Sequence, residues 1–178
     1  MEVIKIRYCK NRRGYKPLKG MEIYVHYGSS EYDMNRLWNA VLNKRAQYDH
    51  LGQKPHGLWA SPLKSELSWK NWCEWEEFRL ETLDKSFKFK LAPNARILRI
   101  KTLKEASKFI LEKKYHFLSE PGYHVWQELD LPQIYSWYDG MEVIMSNDYS
   151  NFHNNQIFYT WDVDSLCVWH PGVIIPVK

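Results

Sequence analysis

Apolar and polar positions divide the chain into short strand-like and helix-like runs. Val3 to Tyr8 mixes alternation with β-branched residues and predicts a strand, and the basic, Gly- and Pro-containing stretch Lys10 to Gly20 predicts a loop. Glu22 to Tyr27 predicts a second strand, stopped by Gly28-Ser29-Ser30. Asp33 is placed to cap a short helix with Leu37, Trp38, Val41 and Leu42 on one face. Leu58 to Ser61 predicts a short strand ended by Pro62. Between Ser65 and Thr82, Trp69, Trp72, Cys73, Glu76 and Leu80 recur at helical spacing and predict the clearest long helix. Phe87 to Leu91 alternates, and Ala95 to Ile100 follows Pro93-Asn94, so two strands joined by a tight turn are expected. Thr102-Leu103-Lys104-Glu105 has the spacing of a capping box, with a helix from there to about Tyr115. Val125, Trp126 and Leu129 predict a short helix before Pro132. Met141 to Met145, Gln156 to Trp161 and Ser165 to Trp169 predict closing strands, with the polar loop Ser146 to Asn155 among them.

Strands, then helices, then strands, without regular βαβ alternation, predict antiparallel or mixed sheets and an α+β fold. A chain of 178 residues is the size at which one hydrophobic core is normal, so residues 1–178 are expected to form a single domain.

Composition narrows the picture. With 44% hydrophobic and 26% charged residues the chain has the composition of a folded globular protein. No stretch approaches the roughly 18 continuous apolar residues of a membrane span, and no apolar run follows Met1, so a cytoplasmic protein without a membrane partner is expected. Cys9, Cys73 and Cys167 are odd in number, far apart and without a C-x-x-C pair, which argues against a disulfide framework and a zinc site. The histidines lack paired ligand spacing, so no metal is expected. Glycine-rich phosphate loops and a G-x-S-x-G nucleophile are absent. Aromatic residues reach 16%, with nine Trp and twelve Tyr, beside a net charge of only +4. Such side chains fill cores, and they also stack on nucleobases or a nicotinamide ring.

Four polar clusters interrupt the apolar pattern. In Tyr24-Val25-His26-Tyr27-Gly28-Ser29 a histidine leaves a strand just before a glycine that lets a ligand approach the backbone. A lone strand-end histidine is also a common structural residue. In Lys54 to Pro62, Trp59 and Ser61 lie two apart and so share one side of a strand, joining a stacking surface to a hydroxyl. Of Trp69, Trp72 and Trp75 at most two share one helical face, either as a core stripe or beside a site. In Trp137-Tyr138-Asp139-Gly140-Met141-Glu142 a carboxylate sits among Met141, Val143 and Ile144, either facing solvent on an edge strand or placed there for chemistry.

A strand ending in His-x-Gly-Ser, then a Gly-Leu-Trp-x-Ser strand followed by a Trp-bearing helix, then Tyr-Asp-Gly-x-Glu and a closing strand, resembles the ADP-ribosyltransferase-like superfamily of bacterial toxins and phages. The order matches roughly from Ile23 to Ile175. The resemblance implies split mixed and antiparallel sheets with flanking helices and NAD as co-substrate. It implies a catalytic set of Glu142, His26 and Ser61 converging on one cleft. It further implies NAD contacts from His26, Tyr27, Gly28, Ser29, Trp59, Ser61, Trp69 and Tyr138. Many members that modify proteins carry a Glu or Gln two residues before the catalytic Glu. Gly140 stands there instead, and Asp162 and Asp164 remain alternative carboxylates.

The activity so implied is transfer of ADP-ribose from NAD to a macromolecular acceptor by a toxin or phage-conflict effector, with an antitoxin protein as a possible partner. The missing upstream carboxylate and the basic Lys10–Lys19 loop favour RNA or DNA over protein as acceptor. The rival expectation is a non-catalytic module holding single-stranded RNA or a modified base on Trp59, Trp69 and Trp72. An enzyme of this kind needs its carboxylate to face the Trp59 and Ser61 strand.

Overall fold

A computed structural model describes residues 22–37, 54–115 and 124–177. The expected strand Val3 to Tyr8, the basic loop after it, most of the helix after Asp33 and Cys9 lie outside the described residues. Of that helix, residues 34–37 are helical and Leu37 is buried.

Nine strands are described: β1 (Ile23–Tyr27), β2 (Leu58–Pro62), β3 (Ser86–Leu91), β4 (Ile97–Ile100), β5 (Ile110–Tyr115), β6 (His124–Leu129), β7 (Gly140–Val143), β8 (Ser165–Val168) and β9 (Ile174–Val177). Besides residues 34–37, four α-helical segments accompany them: α1 (Trp69–Trp75), α2 (Leu103–Ala106), α3 (Leu131–Trp137) and α4 (Tyr149–His153). Seven strands form one mixed sheet in the order β4-β7-β8-β2-β1-β3-β9, and β5 and β6 pair as a separate antiparallel ribbon. Within the large sheet β4 and β7 run parallel, and the other neighbours run antiparallel. β1 and β2 are joined by two registered pairs, Tyr24 with Pro62 and Val25 with Ser61, whereas β1 and β3 share five. The sheet is therefore continuous but narrowly bridged at its middle.

The alternation of Phe87, Phe89 and Leu91 with Lys88 and Lys90 makes β3, with Phe89 fully buried. The expected hairpin after it is not formed. β3 pairs with β1 and β9, while β4 lies at the far edge against β7. Asp139 explains this placement. Its carboxylate accepts from Arg96 N at 2.8 Å and Arg96 Nη2 at 2.7 Å, fastening the entry of β4 to the entry of β7.

Other expectations are corrected in the same way. The Trp-bearing helix ends at Trp75, because Glu77 and Arg79 take left-handed backbone angles of φ 50° and 51°. The capping box of Thr102 and Glu105 is present, yet α2 runs only to Ala106 and Ile110 onward is strand β5. Val125, Trp126 and Leu129 lie on strand β6 rather than a helix. Pro132 then opens α3 instead of ending a helix, since its missing N–H and fixed φ suit the first turn, which Asp130 caps through Gln133 N. Residues 156–160 are turns and Trp161 is irregular, so no strand forms there, and the loop before them contains α4.

Tyr24, Phe89, Ile100, Ile134, Met141, Phe158, Trp161, Leu166 and Trp169 belong to one continuous buried cluster. The architecture is thus α+β around a mostly antiparallel mixed sheet. Among the described residues no helix is long and apolar enough to cross a membrane.

Candidate functional site

Register decides which predicted residues can meet. Ala60 pairs with Leu166, and Leu166 with Glu142, so Glu142 shares a sheet face and a cross-strand row with Ala60. Tyr24 pairs with Pro62, which places Tyr24 and His26 on that same face. Ser61 pairs with Val25 and, with Trp59, points to the other side. The structure therefore brings His26 and Glu142 to one face and separates both from Ser61 and Trp59. The expected convergence of all three catalytic residues on one cleft is not observed, because adjacent strand positions alternate sides.

Glu142 is 1% exposed. Tyr24 donates its hydroxyl hydrogen to Glu142 Oε1 at 2.7 Å, and Arg99 Nε lies 2.7 Å from Oε2 as an ion pair whose N–H does not point along the line to the oxygen. Arg99 also donates through Nη2 to the Tyr24 hydroxyl and to Glu22, each at 3.3 Å. Burial pushes the Glu142 carboxyl above its usual range, opposed first by Arg99 and then by the Tyr24 hydrogen bond. Burial and the neighbouring Glu142 also push the Tyr24 phenol up, so it remains a donor. The pairing partners Tyr24 and Arg99 were missed at the level of sequence. Their signal was a tyrosine and an arginine set in the apolar strands Ile23-Tyr24-Val25 and Leu98-Arg99-Ile100.

His26 contacts the carbonyl of Trp59 through Nδ1 at 2.7 Å, and a carbonyl can only accept, so Nδ1 carries the proton. Burial holds this imidazole below its ordinary range. A neutral ring protonated at Nδ1 presents Nε2 as an acceptor, and the ring packs against Phe87 with centroids 5.1 Å apart. Gly28, two residues on, has φ +96°, and its N–H reaches the carbonyls of Lys85 at 2.8 Å and Thr82 at 3.0 Å. Ser29 Oγ donates to the Glu31 carbonyl at 2.9 Å.

On the opposite face Ser61 is buried, and its Oγ accepts the N–H of Trp69 at 2.9 Å, which anchors the start of α1. Trp69 stacks on Trp72 with centroids 5.2 Å apart, while Trp75 points outward, so two of the three indoles share a face as expected. Tyr27 lies on this side with Glu74 of α1 near it. The Trp59 ring meets Trp161 edge-on at 5.1 Å, and Lys54 Nζ lies 5.8 Å from the Trp59 centroid. Tyr138 stands elsewhere, packed on Phe109 at 6.0 Å, with its carbonyl accepting from Trp169 Nε1 at 2.8 Å.

The alternative carboxylates differ from each other. Asp164 is buried and accepts from Ser65 Oγ at 2.7 Å, Ser146 Oγ at 2.8 Å and Ser146 N at 2.9 Å, so it ties loops together. Asp162 is half-buried, and burial raises its carboxyl against the pull of Lys54 and His153. The thiols of Cys73 and Cys167 are buried, and burial pushes both above their usual range, so neither is an activated nucleophile.

Gly140 explains the missing upstream carboxylate. A Cβ there would stand 2.8 Å from the carbonyl oxygen of Cys167 and 3.0 Å from Ile97 Cδ1, so close packing of β7 leaves no space for any side chain. Among the described residues no group of three His, Cys, Asp or Glu could hold a metal ion. Comparisons with family models, curated proteins and solved structures find no match to this chain.

Proposed function

We propose that the protein transfers ADP-ribose from NAD to a macromolecular acceptor, nucleic acid in preference to protein, with His26 and Glu142 as the residues that meet NAD. One observation carries this reading. His26 and Glu142 lie on the same sheet face, and the Glu142 carboxylate is fixed by Tyr24 at 2.7 Å and Arg99 at 2.7 Å. Keeping a carboxylate at 1% exposure is costly for stability alone, since apolar side chains would fill the same volume more favourably.

The chemistry gives that anion a use. Cleavage of the glycosidic bond sends its electron pair to the pyridinium nitrogen, releasing neutral nicotinamide and leaving positive charge on the ribose. A fixed carboxylate stabilises that charge at the moment it appears. The acceptor then bonds to the ribose carbon and loses its proton. Tyr24 uses one position on Oε1, Arg99 stands against Oε2 as an ion pair, and a carboxylate has about four positions, so ribose hydroxyls have acceptors left. Arg99, 31% exposed, is the side chain that must swing aside to admit them. His26 Nε2 suits a ribose hydroxyl. Ser61 acts by holding α1, and Trp59 is removed from the NAD contacts.

No observation favours the non-catalytic RNA module. Trp69 and Trp72 stack on each other, and Trp161 and Lys54 cover Trp59. The test is incubation with NAD labelled in its adenylate phosphate and separate RNA, DNA and protein pools. Label should enter a nucleic-acid pool, and Glu142→Gln should lower transfer by roughly 10²–10³ with NAD affinity nearly unchanged. Absence of transfer to every pool, together with no NAD binding by calorimetry, would reject the proposal.

A further inference from the structure

The segment that follows α1 carries a second feature, independent of the proposed reaction, beside a helix anchored through Ser61 on the sheet face opposite His26 and Glu142. Trp75 is 64% exposed, Phe78 44% and Leu80 46%, all within six residues. Single exposed apolar side chains are ordinary, but three large ones in one short segment concentrate apolar surface there. Between positions 74 and 81 these side chains are interspersed with four exposed carboxylates, Glu74, Glu76, Glu77 and Glu81, of which Glu74 pairs with Lys70 at 3.7 Å, against the guanidinium of Arg79, which lies 5.8 Å from the Phe78 ring centroid. The chain as a whole carries a net charge of +4, so the acidity is local.

The backbone holds this surface in place. The N–H of Phe78 donates to the carbonyl of Cys73 at 2.9 Å, closing the helix in a wide turn. Glu77, in that turn, and Arg79 both have positive φ, 50° and 51°, a region that side chains other than glycine rarely occupy. Two such residues in three positions mark a segment whose shape is retained against local strain. Beneath it, Phe78 packs edge-on against Trp72 at 5.5 Å and Trp69 at 6.2 Å, and α1 is fastened to β2 through Ser61. Phe78 is thus preorganised, which lowers the entropic cost of binding through it.

We propose that this segment is a docking surface for a basic segment of another protein, with Trp75, Phe78 and Leu80 as apolar anchors and the carboxylates as a charged rim. Aromatic anchors within a polar rim are the composition of a protein interface. The sign of the rim selects the partner: phosphate backbones and anionic lipid surfaces are repelled, and Lys- and Arg-rich protein segments are attracted.

The test uses the full chain and a dye-labelled synthetic amphipathic peptide with Leu on one helical face and Lys on the other, beside its Glu-for-Lys counterpart. Fluorescence anisotropy should show the Lys peptide binding and the Glu peptide not. Trp75→Ala and the pair Glu76→Lys with Glu77→Lys should each weaken binding at least about tenfold, with far-UV circular dichroism unchanged. The inference is overturned if the Lys peptide does not bind, if it binds both variants as it binds the parent, or if the Glu peptide binds equally well. It is also overturned if the parent sediments as a dimer that Trp75→Ala dissociates, since a second copy then occupies the patch, or if the patch variants lose affinity for an RNA oligonucleotide instead.

Discussion

Removing the positive partner of Glu142 tests the central electrostatic argument. In Arg99→Met the side chain keeps much of its length while the guanidinium goes, leaving a carboxylate at 1% exposure with Tyr24 as its strong partner at 2.7 Å. Breaking a buried pair on one side costs about 3–5 kcal/mol, and the 31% exposure of Arg99 places this case at about 3 kcal/mol, since water enters part of the space it leaves. With a urea m-value of about 2 kcal/mol/M, the midpoint should fall by about 1.5 M at pH 7.

The pH dependence follows from the direction of the Glu142 shift. Its carboxyl lies above the usual range in the folded protein, so between the unfolded and folded values the folded state binds more protons. Stability from this group is present at low pH and lost as pH rises through that window. Loss of Arg99 raises the folded value further, so the deficit of Arg99→Met should be smaller at pH 5 than at pH 7. The double variant Arg99→Met with Glu142→Gln leaves no charge of this pair behind and should recover to within about 1 kcal/mol of the parent. Urea unfolding of the parent, Arg99→Met, Glu142→Gln and the double variant at both pH values decides the matter. A single-variant loss under about 1 kcal/mol, or a double variant no more stable than Arg99→Met, would refute the view that a buried anion is held by this arginine.

Two further outcomes follow from the same geometry. Gly140→Ala should lower stability by about 2 kcal/mol or more in thermal unfolding, because its Cβ would meet the Cys167 carbonyl oxygen at 2.8 Å, a backbone atom that cannot rotate away; an unchanged melting temperature would show that β7 relaxes. ¹⁵N-edited NMR should find the His26 proton on Nδ1 at neutral pH, as its bond to the Trp59 carbonyl requires, and protonation should begin only below the ordinary imidazole range; a charged ring at pH 7 contradicts this.

Local chemistry was legible along the chain, and pairing was not. The alternation of Phe87 to Leu91 and the capping box at Thr102 are contained within a few residues, and both appear as the pattern predicts. The β3–β4 turn also reads as a hairpin at short range, yet the Asp139–Arg96 link, 43 residues apart, sends β4 to the opposite edge of the sheet. Ile110 to Tyr115 has an apolar face at helical spacing only because Phe109, Ile110 and Leu111 are consecutive. Pairing with His124–Leu129 overrides that reading, and the helix-like spacing of Val125, Trp126 and Leu129 yields to the same ladder.

The site divides along the same line. Strand parity, a two-residue rule, correctly puts Trp59 and Ser61 on one side and makes Tyr24 and His26 neighbours. Which of these sides Glu142 joins depends on the register of β8 between β2 and β7, which no segment of the sequence encodes by itself. Once Leu166 pairs with both Ala60 and Glu142, the carboxylate is committed to the His26 face, and Ser61 turns to the opposite one, where its hydroxyl finds Trp69 N–H at 2.9 Å. The same register accounts for Gly140. Gly140 pairs with Val168, so its Cβ would meet the Cys167 carbonyl, and a second carboxylate two residues before Glu142 is excluded by packing. Glu142 is left as the one acidic side chain of β7, and the arginine that pairs with it, Arg99, also pairs with Glu22 at 3.3 Å.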